Sequence, residues 1–124
     1  MYAISTTEAP GALGTCSQGT SAARFVFVSA QLPVDPAAGE LVAGGIAEQT
    51  ACCIRNIAAV LAELDLTLAD VTKTTVQLVD LDDFEEMDEA YATRFSRPAP
   101  ARSCMQVQAL PFGARVQIDA IACR

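Results

Sequence analysis

Apolar and polar positions change their period several times along this chain, and each change marks an element. From Arg24 to about Leu32, "RFVFVSAQL" is dense in Phe and Val and predicts a β-strand. Pro33 interrupts it, "DPAAGE" predicts a turn in which Gly39 can take positive φ, and "LV" extends briefly before "AGG". From Ile46 to Leu64 the set Ile46, Thr50, Cys53, Ile57, Val60, Leu61 and Leu64 recurs at helical spacing, with Glu48, Arg55 and Glu63 off that face. An amphipathic helix started at Gly44–Gly45 follows. "DLTLADV" is a connection, and the β-branched "TKTTVQLVDL" predicts another strand. In "DDFEEMDEAYATRF", Phe84, Met87, Tyr91 and Phe95 form one stripe and predict a second helix. Asp82 or Asp83 is expected to cap it, with Glu85 and Glu86 near its positive end.

"SRPAPA" cannot continue that helix. Two last strands, about Ser103–Leu110 and Arg115–Cys123, flank "PFGA" and predict a β-hairpin. A further strand is expected near the N-terminus. The order is strand, strand, helix, strand, helix, strand, strand, for which helices on one face of a mixed sheet, an α+β fold, is the economical solution. A chain of 124 residues and 13.0 kDa fits one domain, taken as residues 1–124. With 52% hydrophobic and 19% charged residues, it has the apolar surface for a core.

Charge and residue types narrow the chemistry. A net charge of -7 opposes nucleic acid or anionic membrane as a partner, since phosphate binding needs clustered Lys and Arg. Histidine is absent, which excludes Ser-His-Asp and Cys-His catalysis and any histidine-containing zinc site. Acid–base work falls to carboxylates, thiols, tyrosines, backbone or water. The five cysteines, Cys16, Cys52, Cys53, Cys104 and Cys123, form no C-x-x-C pair, and free thiols are the simpler reading. Cys52, Cys53 and Cys123 are assigned to packing, Tyr91 to the core, and Cys16 to an exposed loop. No leader or membrane-spanning run stands out, so a soluble cytoplasmic protein is expected.

The acidic "DLDDFEEMDE" has no central glycine for a calcium loop, and its apolar stripe predicts a capped helix with a solvated face. More informative is "PAPARSCMQVQALPFGARVQIDAIACR". Arg102 opens one strand with Cys104 on the same face, and Asp119 sits between Ile118 and Ala120 in the most apolar part of the other. A carboxylate there is costly unless it is paired or lines a cleft. The residues leave open a structural ion pair or a functional site. In the latter, the guanidinium would hold a small organic acid and Asp119 would position or deprotonate water, without a metal. Cys104 beside a guanidinium could be a nucleophile, though a small core residue is the simpler reading.

Along nearly its whole length the chain resembles the reactive intermediate deaminase family, the RidA or YjgF-like proteins. "STTEAPGALGTCSQG", "FVFVSAQLPVDPAAGELVAGGIAEQT", "NIAAVL", "DVTKTTVQLVDLDDFEEMDEAY" and "PARSCMQVQALP…VQIDAIA" stand in family order and spacing. The resemblance implies an α+β fold like that of chorismate mutase, assembled as a homotrimer with clefts between subunits. It implies cofactor-free hydrolysis of enamine or imine intermediates such as 2-aminoacrylate to a 2-keto acid and ammonia, a 2-iminobutanoate/2-iminopropanoate deaminase type of reaction. By the same resemblance Arg102 grips the substrate carboxylate, Asp119 takes the place of the glutamate that handles water, and Ser29, Ala30, Cys16 and Cys104 form the walls.

Four positions depart from the family pattern. Cys16 replaces an aromatic residue, Ala30 a glycine, Asp88 an asparagine on the second helix, and Asp119 a glutamate. Ala30 adds a methyl where backbone would approach a ligand, and Asp119 withdraws its carboxylate by one methylene. These departures motivate a competing expectation, a non-catalytic module that binds 2-keto acids or other small carboxylates, or a partner, in the same cleft. The cysteines motivate a third, a thiol-dependent redox or chaperone role.

Overall fold

A computed structural model describes residues 1–124. Strands β1 (Tyr2–Ile4), β2 (Gly19–Ala22) and β3 (Phe25–Gln31) form an antiparallel meander. The two-residue strands β4 (Val34–Asp35) and β5 (Glu40–Leu41) pair with each other across the predicted turn, where Gly39 has φ 70°. Then follow α1 (Ile46–Ala62), β6 (Val71–Leu78), α2 (Phe84–Ala92), β7 (Ala101–Gln106) and β8 (Val116–Cys123). The main sheet has the order β1-β2-β3-β8-β6-β7.

Both helices lie on one face of this sheet. Helix α1 buries Ile46, Thr50, Cys53, Ile57, Val60 and Leu61, the stripe predicted from spacing. It ends at Ala62, two residues before the predicted limit. Gly44, at φ 108°, lets the chain enter α1 closely, since a Cβ there would meet the Glu48 side chain at 2.6 Å. Glu48 turns back to accept the Gly45 N–H at 3.1 Å. From the sheet, Val26, Val28, Val76, Val116, Ile118, Ala120 and Ala122 complete one core with Met87, Tyr91 and Phe95.

Three sequence expectations change. The last two strands are not a hairpin. β8 runs antiparallel between β3 and β6, whereas β7 pairs parallel to β6 on the far edge. Helix α2 is the crossover that parallel pairing requires. "PFGA" becomes part of a 3-10 turn, Pro111–Gly113, leading from one side of β6 to the other. The cap of α2 also differs: Asp80 accepts the Asp82 N–H at 2.9 Å in a 3-10 turn leading into the helix. Asp83 instead accepts from Arg115 at 2.8 Å. Two strands, β1 and β2, precede the Phe-Val strand where one without bounds was expected, and "GTSA" of β2 carries almost no apolar signal.

Candidate functional site

Arg102 stands on β7 opposite Thr74 of β6, on the face covered by helices. Thr74 is fully buried, and its hydroxyl shares a 2.7 Å hydrogen bond with Tyr91 of α2. The Arg102 guanidinium therefore lies over α2, 4.7 Å from the Tyr91 ring centre and 5.3 Å from that of Phe84. Its NH1 donates to Asp88 at 2.7 Å, forming an ion pair in which the Arg102 side chain is 22% exposed and that of Asp88 47%. Arg102, Asp88 and Tyr91 line an open groove of about 600 Å³ with Phe95, Arg97 and Pro100. Cys104 shares their face, half-buried. Burial raises its thiol pKa despite the opposing Arg102 charge, which favours the packing role over a thiolate nucleophile.

Asp119 belongs elsewhere. It pairs with Thr75, so its side chain leaves the sheet on the face that carries no helix. On its other side β3 bulges. Val28 pairs with Ala120 and Gln31 with Ile118, which leaves Ser29 and Ala30 together opposite the single residue Asp119. Ser29 donates to the Ser17 carbonyl at 2.6 Å and lies 3.4 Å from the exposed Cys16 thiol. Cys16, Ser29 and Ala30 line a cavity of about 180 Å³ with Leu13, Phe112 and Gln117. Burial pushes the Asp119 carboxyl above its ordinary value, while the Lys73 charge and the Thr75 hydroxyl pull it down.

The predicted site residues thus fall into two groups. Cys16, Ser29, Ala30 and Asp119 come together around the bulge, while Arg102, Cys104 and Asp88 come together at the β7 edge. One chain does not join them. β3 and β7 are separated by β8 and β6, and three strand spacings amount to about 14 Å. Sequence reasoning missed Leu13, Phe112 and Gln117. Phe112 is exposed in the left-handed region at φ 64°, uncommon for an aromatic residue, and "PFG" held no signal beyond a turn.

The helix-free face also exposes Phe25 and Phe27, stacked with ring centres 6.2 Å apart, and Met105. Ile121 and Cys123 join them, half-buried, so the packing role predicted for Cys123 is not fulfilled within one chain. Cys52 and Cys53 are buried as expected, and burial raises both thiol pKa values. No three His, Cys, Asp or Glu residues are grouped to hold a metal ion. No helix is long and apolar enough to cross a membrane.

Comparison with known proteins places this arrangement among similar ones. The model of the family described as endoribonuclease L-PSP matches residues 6–124. The chain is 45% identical over 118 residues to a RutC family protein of Sinorhizobium fredii, covering 95% of this chain and 94% of that one. It is 43% identical over 119 residues to the 2-iminobutanoate/2-iminopropanoate deaminase of Rattus norvegicus, covering 96% and 87% respectively. Among solved structures, that of E. coli TdcF with bound serine superposes with a TM-score of 0.95 at 37% identity, covering 100% of this chain and 99% of that one.

Proposed function

The chain belongs to the endoribonuclease L-PSP family, that of the YjgF and RidA proteins, and from that premise we propose that it hydrolyses small 2-imino or enamine acids to 2-keto acids and ammonia. The reaction takes place in clefts between copies of the chain assembled as a homotrimer. Arg102 of one copy binds the substrate carboxylate. Asp119 of the next orients the attacking water, with the Ser29–Ala30 bulge and Cys16 as wall. The protein acts in the cytoplasm on a soluble metabolite and needs no cofactor.

The observation that carries this reading is the separation of the two half-sites. Asp119 with its bulge and Arg102 with its groove each hold part of the needed chemistry on opposite faces of the sheet, with Asp119 two strand spacings, about 10 Å, and the bulge three, about 14 Å, from the Arg102 strand. A second copy covering the helix-free face would bury Phe25, Phe27 and Met105, an apolar patch of the kind that marks interfaces. It could also bring its β7 edge to the first copy's bulge. Relatives named for imine deamination support the substrate class.

In mechanistic terms, the guanidinium orients the substrate through charge-assisted hydrogen bonds. A water held by Asp119 attacks the imine carbon, giving a carbinolamine, and expulsion of ammonia leaves the keto acid. A carboxyl whose proton affinity is raised by burial is better suited to take a proton from that water than an ordinary aspartate. The family description speaks of an endoribonuclease, but a net charge of -7 and the lack of histidine oppose RNA cleavage in this chain.

The Arg102–Asp88 ion pair favours a second reading, a carboxylate-binding module without turnover, because the cation already holds a carboxylate. One experiment separates the two. An imino acid is generated in situ by an amino acid oxidase, and keto-acid release is followed with wild type and with Arg102→Ala. Acceleration by wild type that is lost in the variant supports deamination. Release at the spontaneous rate in both, with 2-ketobutyrate binding seen by calorimetry, supports the module.

A further inference from the structure

Asp88 occupies one edge of the Arg102 guanidinium, and the geometry of that pair bears on which ligand the site prefers. The guanidinium is stacked against Tyr91 and Phe84, so its plane and edge are fixed. Its one side-chain hydrogen bond goes to Asp88 Oδ1 at 2.7 Å, and its remaining N–H donors are free to meet a ligand beside that carboxylate. The pair has no net charge. A ligand that is only an anion would gain the guanidinium while standing against the Asp88 charge. A ligand with a cationic nitrogen one carbon from its carboxylate would satisfy both members, carboxylate to Arg102 and nitrogen to Asp88.

We propose that Asp88 is a specificity-determining residue that makes the Arg102 site select the zwitterionic iminium of a 2-imino acid over the 2-keto acid anion formed from it. The inference rests on the reading that Arg102 binds the ligand's carboxylate. The reaction is R–C(=NH2+)–COO− + H2O → R–C(=O)–COO− + NH4+. The C=N bond is exchanged for C=O, both water protons leave on the ammonium, and no electrons are transferred. The substrate carries the cationic group that Asp88 recognises and the product does not. Hydrolysis therefore removes the attractive contact and leaves a repulsive one, which favours product release. The same carboxylate favours the protonated imine, the form whose carbon is the better electrophile.

The stable pair 2-aminobutyrate (zwitterion) and 2-ketobutyrate (anion) tests this without turnover. Dissociation constants for both are measured by calorimetry on wild type, Asp88→Asn and Arg102→Ala, with circular dichroism confirming that each variant is folded. In Asp88→Asn the ratio of keto-acid to amino-acid affinity is expected to rise about tenfold or more, which is one close charge contact at about 1.4 kcal/mol per decade. Arg102→Ala is expected to lose both ligands. A purely structural role for Asp88 would weaken both ligands together and leave the ratio unchanged. That outcome, with both ligands lost in Arg102→Ala, overturns the selectivity and spares the carboxylate reading. Undiminished binding in Arg102→Ala, or no binding of either ligand to wild type, overturns the carboxylate reading and the selectivity with it.

Discussion

Arg102 and Asp119 stand on opposite faces of one sheet. Arg102 is registered with Thr74 and Asp119 with Thr75, and adjacent residues of β6 point to opposite sides. An acid and a cation close together in the sequence's apparent hairpin thus lie on two different surfaces of the molecule, and one chain does not bring them together.

Arg102→Lys keeps the charge but loses the planar donor edge and the stacking on Tyr91 and Phe84. Loss of one charge-assisted bond is worth about 1.5–3 kcal/mol. Steady-state kinetics on an in situ generated imino acid should therefore show kcat/KM lowered by about 10- to 150-fold.

Asp119 predicts a pH dependence of stability with a definite sign. Burial raises its folded-state pKa, so between the unfolded value and that raised value the native state binds more protons than the unfolded one. Stability from this residue is greatest below the unfolded value and falls as pH rises through the window. Thermal melts at one protein concentration from pH 3.5 to 7 should show wild type losing stability relative to Asp119→Asn as pH increases. Parallel curves would remove the raised carboxyl from the account.

The shared hydrogen bond of Thr74 and Tyr91 holds α2 against β6 beneath the Arg102 groove. Tyr91→Phe leaves the Thr74 hydroxyl buried without that partner and should cost about 1–2 kcal/mol in urea denaturation at fixed chain concentration.

The helix-free face predicts assembly. Phe27→Asp places a charge among Phe25, Ile121 and the neighbouring stripe, where a second copy would have to desolvate it. Sedimentation should give three chains for wild type and mainly monomers for the variant, with activity lost although Arg102 and Asp119 are intact.

Periodicity carried the fold a long way. The stripes of α1 and α2 and the Phe-Val strand were legible because each buries one side against one core. Sheet order was not. The apolar runs around "PFGA" look alike whether β7 returns beside β8 or crosses over α2 to the far side of β6, and only tertiary pairing separates them. The bulge at Ser29–Ala30 was hidden for a related reason, since a bulge is a mismatch between two strands and neither strand's own pattern records it. The tie between Arg102 and Asp88 spans 14 positions from helix to strand and needs the register to become visible.

Subunit mixing tests the central claim most directly. Arg102→Ala and Asp119→Asn chains, each inactive alone, are dissociated together in equal amounts and reassembled. If every cleft takes its arginine from one chain and its aspartate from the next, random trimers restore about one quarter of the wild-type deaminase activity. If the mixture remains as inactive as its two parents, the two groups do not act across an interface between copies and the account is contradicted.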